Sequence, residues 1–143
     1  LRVHSGFVSS ISVDWPSHSC ISGGGGGSGC LQLWDLNLGE AVGDFSAYTG
    51  PVTCIAVHWT TRQALTGGEG GLHLWALDAQ PGPPVRGFSG PPVRSMVADW
   101  PAQRALSGSS PGVLRLWDLE TGALVWQVTG HADEYVKLVR LNW

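Results

Sequence analysis

The residues best placed for chemistry stand near the N-terminus. His4 and Ser22 are a base and a hydroxyl nucleophile by type, and Asp14 lies between them as a possible third member. A serine hydroxyl becomes a useful nucleophile only when a base takes its proton and a third group orients that base. His18, Cys20 and Cys30 offer nitrogen and sulfur to a metal, but they show neither CxxC nor HxxxH spacing and no evident fourth ligand. The run GGGGGSG from Gly23 brushes against the pattern of phosphate-cradling loops. It lacks the Lys-Ser/Thr ending, and consecutive glycines match any glycine pattern by low complexity alone, so a hairpin is the reading adopted. Eight tryptophans could build a cation cage or a stacking platform for bases.

The elements that must position these groups are set by a repeat. The strand-like sextet VLRLWD, Val113 to Asp118, has earlier copies that place their tryptophans at Trp34 and Trp75, with the third at Trp117, 41 and 42 residues apart. A second motif keeps the same beat: VSSISVDW, VTCIAVHW, VRSMVADW and VKLVRLNW start at Val8, Val52, Val93 and Val136, 44, 41 and 43 residues apart. Inner strands are therefore expected near 8–14, 52–58, 93–99 and 136–142, and tryptophan strands near 30–35, 71–76 and 113–118. Strict alternation in the first inner strand would put Ser9, Ile11 and Val13 on one face and Val8, Ser10 and Ser12 on the other. DLETG ends in a glycine suited to a tight turn, whereas Ala76 and the prolines after it predict a longer connection in the second unit. Trp34, Trp75 and Trp117 hold one repeat position and Trp15, Trp59 and Trp100 another, which is the behaviour of packing residues. Trp126 is off register and is the aromatic candidate for an exposed contact. His58 and His73 stand where sister units have Asp, Gln or Arg, and are read as partly exposed.

This period, with its SGG, TGG and SGS steps before an LWD-like strand, resembles the WD40 repeat family of β-propellers. The resemblance implies an all-β, partial (open) propeller of three four-stranded antiparallel blades plus flanking strands. Laid on the chain, it gives an outer strand of a preceding unit at 1–6, blades at 7–46, 47–88 and 89–129, and the first strand of a fourth unit at 130–143. The chain would then be a fragment of a larger propeller. The resemblance also implies a buried hydrogen-bonded set of His, Ser or Thr, Asp and Trp in each blade. The histidine position holds His4, Tyr48, Phe88 and His131; the hydroxyl position Ser22, Thr66 and Ser107; the tryptophan position Trp34, Trp75 and Trp117. The aspartate is absent from all three hairpins, and Pro111 stands in its place in the third. Ser22 would lie between blades, away from any cleft, so His4 and Ser22 are expected to be structural and no residue is assigned to catalysis.

Composition narrows the function. Charged residues make up 13% of the chain, about half the usual ~25%, so it relies on buried faces. The net charge is −3, and one Lys and seven Arg are scattered without a basic stripe, which argues against nucleic acid. Three cysteines in no framework spacing suit a reducing compartment, cytoplasmic or nuclear. No apolar run is long enough to cross a bilayer. The expected role is a noncatalytic protein–protein interaction scaffold, binding peptides or proteins and needing no metal or cofactor. Further repeats in the same chain, or self-association, would complete it. The alternative is an accessory propeller domain of a larger enzyme. In the family, the loops before each inner strand and the hairpins after the second strands line one rim. Here they supply Tyr48, Pro51, Glu69, Phe88, Pro91, Pro92, Ser110, His131, Asp133, Glu134 and Tyr135.

Overall fold

A computed structural model describes residues 4–25, 31–45, 50–78 and 81–130. They form three four-stranded antiparallel sheets and no helix. Blade 1 contains β1 (Val8–Asp14), β2 (Ser19–Gly24), β3 (Leu31–Asp35) and β4 (Glu40–Asp44). Blade 2 contains β5 (Val52–His58), β6 (Gln63–Gly68), β7 (Gly71–Ala76) and β8 (Arg86–Phe88), and blade 3 β9 (Val93–Asp99), β10 (Arg104–Ser109), β11 (Val113–Asp118) and β12 (Leu124–Thr129). Each strand pairs with its sequence neighbour, so every blade is a simple meander. The blades stand side by side through their inner strands, β1 against β5 and β5 against β9. This is the architecture of a partial, open β-propeller.

Local chemistry explains the meanders. The β1–β2, β5–β6 and β9–β10 turns each place a non-glycine residue in the left-handed region, His18, Arg62 and Gln103, at φ of 49°, 52° and 51°. Such residues seldom adopt this conformation, and here it recurs at one repeat position. Each turn is closed by a backbone bond to the tryptophan three residues earlier, for example Gln103 N–H to Trp100 C=O at 3.1 Å. The β3–β4 turn is capped by Asp35, whose Oδ1 accepts from the N–H groups of Asn37 and Leu38, and it ends on Gly39 at φ 68°. Asp118 and Gly122 repeat the device in blade 3, and hydrogen bonds from the Thr121 backbone N–H and its side-chain hydroxyl hold the Asp118 carboxyl below the usual carboxylate range. Ala76 cannot do this. The second connection is accordingly longer, and β8 begins only at Arg86.

Packing lies between blades, because each sheet is apolar on both faces. Ile21, Leu31, Leu33 and Phe45 of blade 1 meet Ala64, Trp75 and Leu77 of blade 2, with Ile55, Val57 and Trp59 at the margin. One blade further on, Leu65, Leu72, Leu74 and Phe88 meet Met96, Ala105, Trp117 and Leu119, with Ala98 and Trp100 beside them. Each fully buried side chain of this size contributes about 1.5–3 kcal/mol. Every blade thus has a trailing face of branched aliphatics and a leading face built around a tryptophan.

Two expectations need correction. Alternation does not hold at the start of the inner strands: β-bulges between Val8 and Ser10, and between Val52 and Cys54, take Ser9 and Thr53 out of register. Ser9 therefore does not share the face of Ile11 and Val13. Its hydroxyl turns to the Val52 carbonyl of blade 2. The glycine run also begins inside a strand, since Gly23 and Gly24 pair with Ser10 and Val8. The fourth inner strand, expected near 136–142, lies outside the described residues.

Candidate functional site

The polar residues that could have done chemistry are tied to the blade interior. Ser22 sits on β2 opposite Gln32, two residues before Trp34 on β3, and is buried. The Trp34 Nε1–H donates to Ser22 Oγ at 2.8 Å, and His4 Nε2 lies 2.7 Å from the same oxygen. The indole is only a donor, and the serine oxygen makes its second hydrogen bond with His4 Nε2, which leaves Nδ1 as the other polar atom of the ring. That Nδ1 is buried and has no hydrogen-bond partner among the described residues. The chain has no hairpin aspartate to accept from it. Blades 2 and 3 repeat the inner part of the arrangement: Trp75 Nε1–H donates to Thr66 Oγ1 at 2.9 Å, and Trp117 Nε1–H to Ser107 Oγ at 2.8 Å. With its hydroxyl held by an indole and an imidazole, and only 5% of the residue exposed, Ser22 has no approach for a substrate.

The stability of this set is measurable. A buried neutral hydrogen bond is worth about 0.5–1.5 kcal/mol net, and His4 carries an orphaned nitrogen that costs part of this back. His4→Ala is expected to lower the unfolding free energy by about 1 kcal/mol or less, read from urea midpoints. A loss of several kcal/mol would require a second partner for the ring.

The histidine position behaves differently further along. Phe88 does not occupy it. It closes β8 opposite Leu72, as Phe45 closes the outer strand of blade 1 beside Leu31, and it stacks edge-on against Trp117 at 5.8 Å. Because it is 2% exposed, Phe88 also cannot be a rim contact. A bulky aromatic at the end of an outer strand is drawn into the next blade interface, which the sequence offset concealed. Tyr48 and His131 lie outside the described residues, as do Asp133, Glu134 and Tyr135.

The remaining rim candidates gather at one end of the blades. Pro51 precedes β5, and its carbonyl accepts from the Glu69 N–H in the β6–β7 turn at 3.3 Å. Pro91 and Pro92 precede β9, and Ser110 follows Ser109, which pairs with Val93. Glu69 and Pro92 are exposed, while Pro51, Pro91 and Ser110 are half-buried. The hollow beside Pro51, lined by Gly67, Gly68, Gly70 and His73, measures about 10 Å³, room for one water molecule at most. Burial lowers the His73 pKa below its ordinary value. His58 stacks on Trp100 at 5.5 Å and bonds Thr61 through Nδ1 at 2.6 Å. Trp126 is 44% exposed on β12.

Among the described residues no group of three His, Cys, Asp or Glu could hold a metal ion. Cys30 lies outside them. His18 is exposed in its turn, and Cys20 is a free, buried thiol whose pKa burial pushes up.

Sequence reasoning passed over two devices. The hydroxyl of Thr53 lies 2.6 Å from the Val93 carbonyl of blade 3 and 3.0 Å from Gly67 of its own blade, as Ser9 lies between Val52 and Gly23. These hydroxyls latch blade to blade. The signal available was a Ser/Thr in the second place of the first two inner-strand motifs, replaced by Arg94 in the third. The other device is close approach. A Cβ on Gly23 would stand 2.6 Å from Val52 Cγ1, and one on Gly67 2.7 Å from Cys54 Sγ and 2.8 Å from Val93 Cγ1.

No family model matches the chain. Eukaryotic translation initiation factor 3 subunit I from Bombyx mori is 24% identical over 143 aligned positions, covering 92% of this chain and 43% of the relative. The chain thus spans about two fifths of the length of this curated relative. Among solved structures, the computationally designed Ika8 protein superposes with a TM-score of 0.78 at 18% identity, over 97% of this chain and 41% of that one. The computationally designed Ika4 protein superposes with a TM-score of 0.76 at 18% identity, over 99% of this chain and 84% of that one. At this identity the likeness is one of fold.

Proposed function

We propose that the chain is a noncatalytic protein–protein interaction scaffold, a stretch of a WD40-type propeller that presents rim loops to peptide or protein partners. The observation that carries the reading is the use made of the reactive side chains: Ser22, Thr66 and Ser107 all accept from a buried tryptophan instead of facing a cleft. The bulges at the starts of β1 and β5 and the bond from Glu69 N–H to the Pro51 carbonyl tie the rim loops to the sheet frame, which is where recognition residues are usually placed. The relative's printed name describes a subunit of a translation initiation factor. Work within a multi-protein assembly, in the cytoplasm, extends that likeness to this chain. Protein partners are favoured over nucleic acid by the net charge of −3 and the scattered arginines. No helix among the described residues is long and apolar enough to cross a membrane. Residues 7–46, 47–88 and 89–129 are assigned as the three repeat units.

A peptide library selected against the chain tests the rim. Peptides recovered this way are expected to lose at least about tenfold in affinity on Glu69→Lys or on Pro92→Asp, the cost of about 1.4 kcal/mol that one lost or repelled contact brings. Asp78→Lys, at the opposite end of blade 2 where Asp78 pairs with Arg62 at 3.0 Å, is expected to leave them unchanged. Binding that follows Asp78 and ignores Glu69 and Pro92 would place recognition on the other rim.

A further inference from the structure

Among the described residues the two blade interfaces use a leading and a trailing face each, and this leaves one of each kind over. The leading positions that are Ile55, Trp59, Trp75 and Leu77 in blade 2, and Met96, Trp100, Trp117 and Leu119 in blade 3, are Ile11, Trp15, Trp34 and Leu36 in blade 1. The chemistry is the same and the exposure is not. Leu36 is 39% exposed where Leu77 is 4%, and Ile11 and Trp15 reach 61% and 72%. The trailing positions that are Leu65, Leu72, Leu74 and Phe88 in blade 2 are Leu106, Leu114, Leu116 and Val128 in blade 3. Val128 is 48% exposed where Phe88 is 2%. Between Val97, Leu106, Leu116 and Trp126 this face carries a hollow of about 260 Å³.

We propose that a second copy of this chain covers these faces, head to tail, the leading face of blade 1 in one copy seating on the trailing face of blade 3 in the other. The two open faces are the two halves of an interface that the molecule already makes twice within itself. Charge favours this arrangement over like-to-like pairing. The described residues of blade 1 hold Asp14, Asp35, Glu40 and Asp44 with no Lys or Arg, so two leading faces brought together would crowd carboxylates. Blade 3 is balanced, its Arg94, Arg104 and Arg115 matched in number by Asp99, Asp118 and Glu120, with Asp99 and Arg104 both at the margin of the hollow, so its trailing face sets no net negative charge against blade 1. A heterologous contact closes into a ring when its rotation allows. Two copies supply six blades, within the range of about four to eight that closed propellers use.

Sedimentation and light scattering on the chain across a concentration series provide the test. A concentration-dependent rise to twice the chain mass is expected. Trp15→Asp on the leading face and Val128→Asp on the trailing face, both substitutions at exposed positions, should each weaken association at least about a hundredfold, because each would bury an unpaired carboxylate. Mixing the two variants should restore pairing, since each retains the face the other has lost. Circular dichroism confirms that each variant is folded, and Ile11→Asp serves as a second leading-face variant. A monomer at every concentration would overturn the proposal, as would association that survives Trp15→Asp and Ile11→Asp, or single variants that fail and are not rescued on mixing.

Discussion

Trp75→Ala is expected to unfold the chain or bring it close to unfolding, while Trp34→Ala at the same repeat position leaves it folded. Trp75 is 1% exposed, meets Phe45 edge-on at 5.8 Å, and donates to Thr66 across β6 and β7. Truncating a buried tryptophan costs about 3–5 kcal/mol. The Thr66 hydroxyl, itself buried, also loses its donor. Set against a typical net stability of about 5–15 kcal/mol, this is a large fraction of the total. Trp34 makes the equivalent bond to Ser22 but is half-buried, because no described residue packs against the leading face of blade 1 as blade 1 packs against that of blade 2. Its loss is expected to cost about 1–2 kcal/mol. Urea midpoints of the two variants beside the parent decide the matter. Equal losses would mean that the leading face of blade 1 is covered in solution, so the comparison belongs at the lowest workable protein concentration.

Gly67→Val should destabilise by about 3 kcal/mol, at the upper part of the range for overpacking a filled interior. The new Cβ would already stand 2.7 Å from Cys54 Sγ and 2.8 Å from Val93 Cγ1, and valine adds two methyl groups at a seam where blades 2 and 3 touch. Thr53 latches to the Val93 carbonyl at that seam, so wedging the strands apart also threatens that bond. Gly50→Ala is the control. The nearest atom to its Cβ would be Glu69 Cβ at 3.8 Å, an ordinary contact, and a change within a few tenths of a kcal/mol is expected. A Gly67→Val variant as stable as Gly50→Ala would show that the blades can move apart without loss.

Neither glycine could be ranked from sequence. Gly23 and Gly67 stand in SGG and TGG steps that read as the beginnings of loose hairpins, yet both are strand residues whose missing side chains let the next blade approach. Ser9 and Thr53 looked like ordinary members of an alternating strand until the bulges turned their hydroxyls across the seam. His18, Arg62 and Gln103 gave no composition signal for a left-handed turn. Phe88 looked like a histidine substitute because an offset of one or two residues cannot be seen without the strand pairing that seats it opposite Leu72. Of the site, the pairs Ser22–Trp34, Thr66–Trp75 and Ser107–Trp117 followed from the resemblance, residue by residue. That Nδ1 of His4 meets no partner among the described residues needed coordinates.

The sequence by itself determined the repeat, the all-β class and the spans of the first three inner strands and of the tryptophan strands, because a period near forty residues and alternating β-branched motifs are local, one-dimensional information. Turn chemistry was equally local: Asp35 and Asp118 cap their turns, and Ala76 cannot. Only the tertiary structure decided which copy of a repeated residue is buried. Trp34, Trp75 and Trp117 are the same residue in nearly the same local setting, and their exposure differs because burial belongs to the neighbouring blade and not to the strand. The same reason separates Leu36 from Leu77, and Val128 from Phe88. A sheet that is apolar on both faces states that something must cover it, and the identity of the cover is a property of the stack.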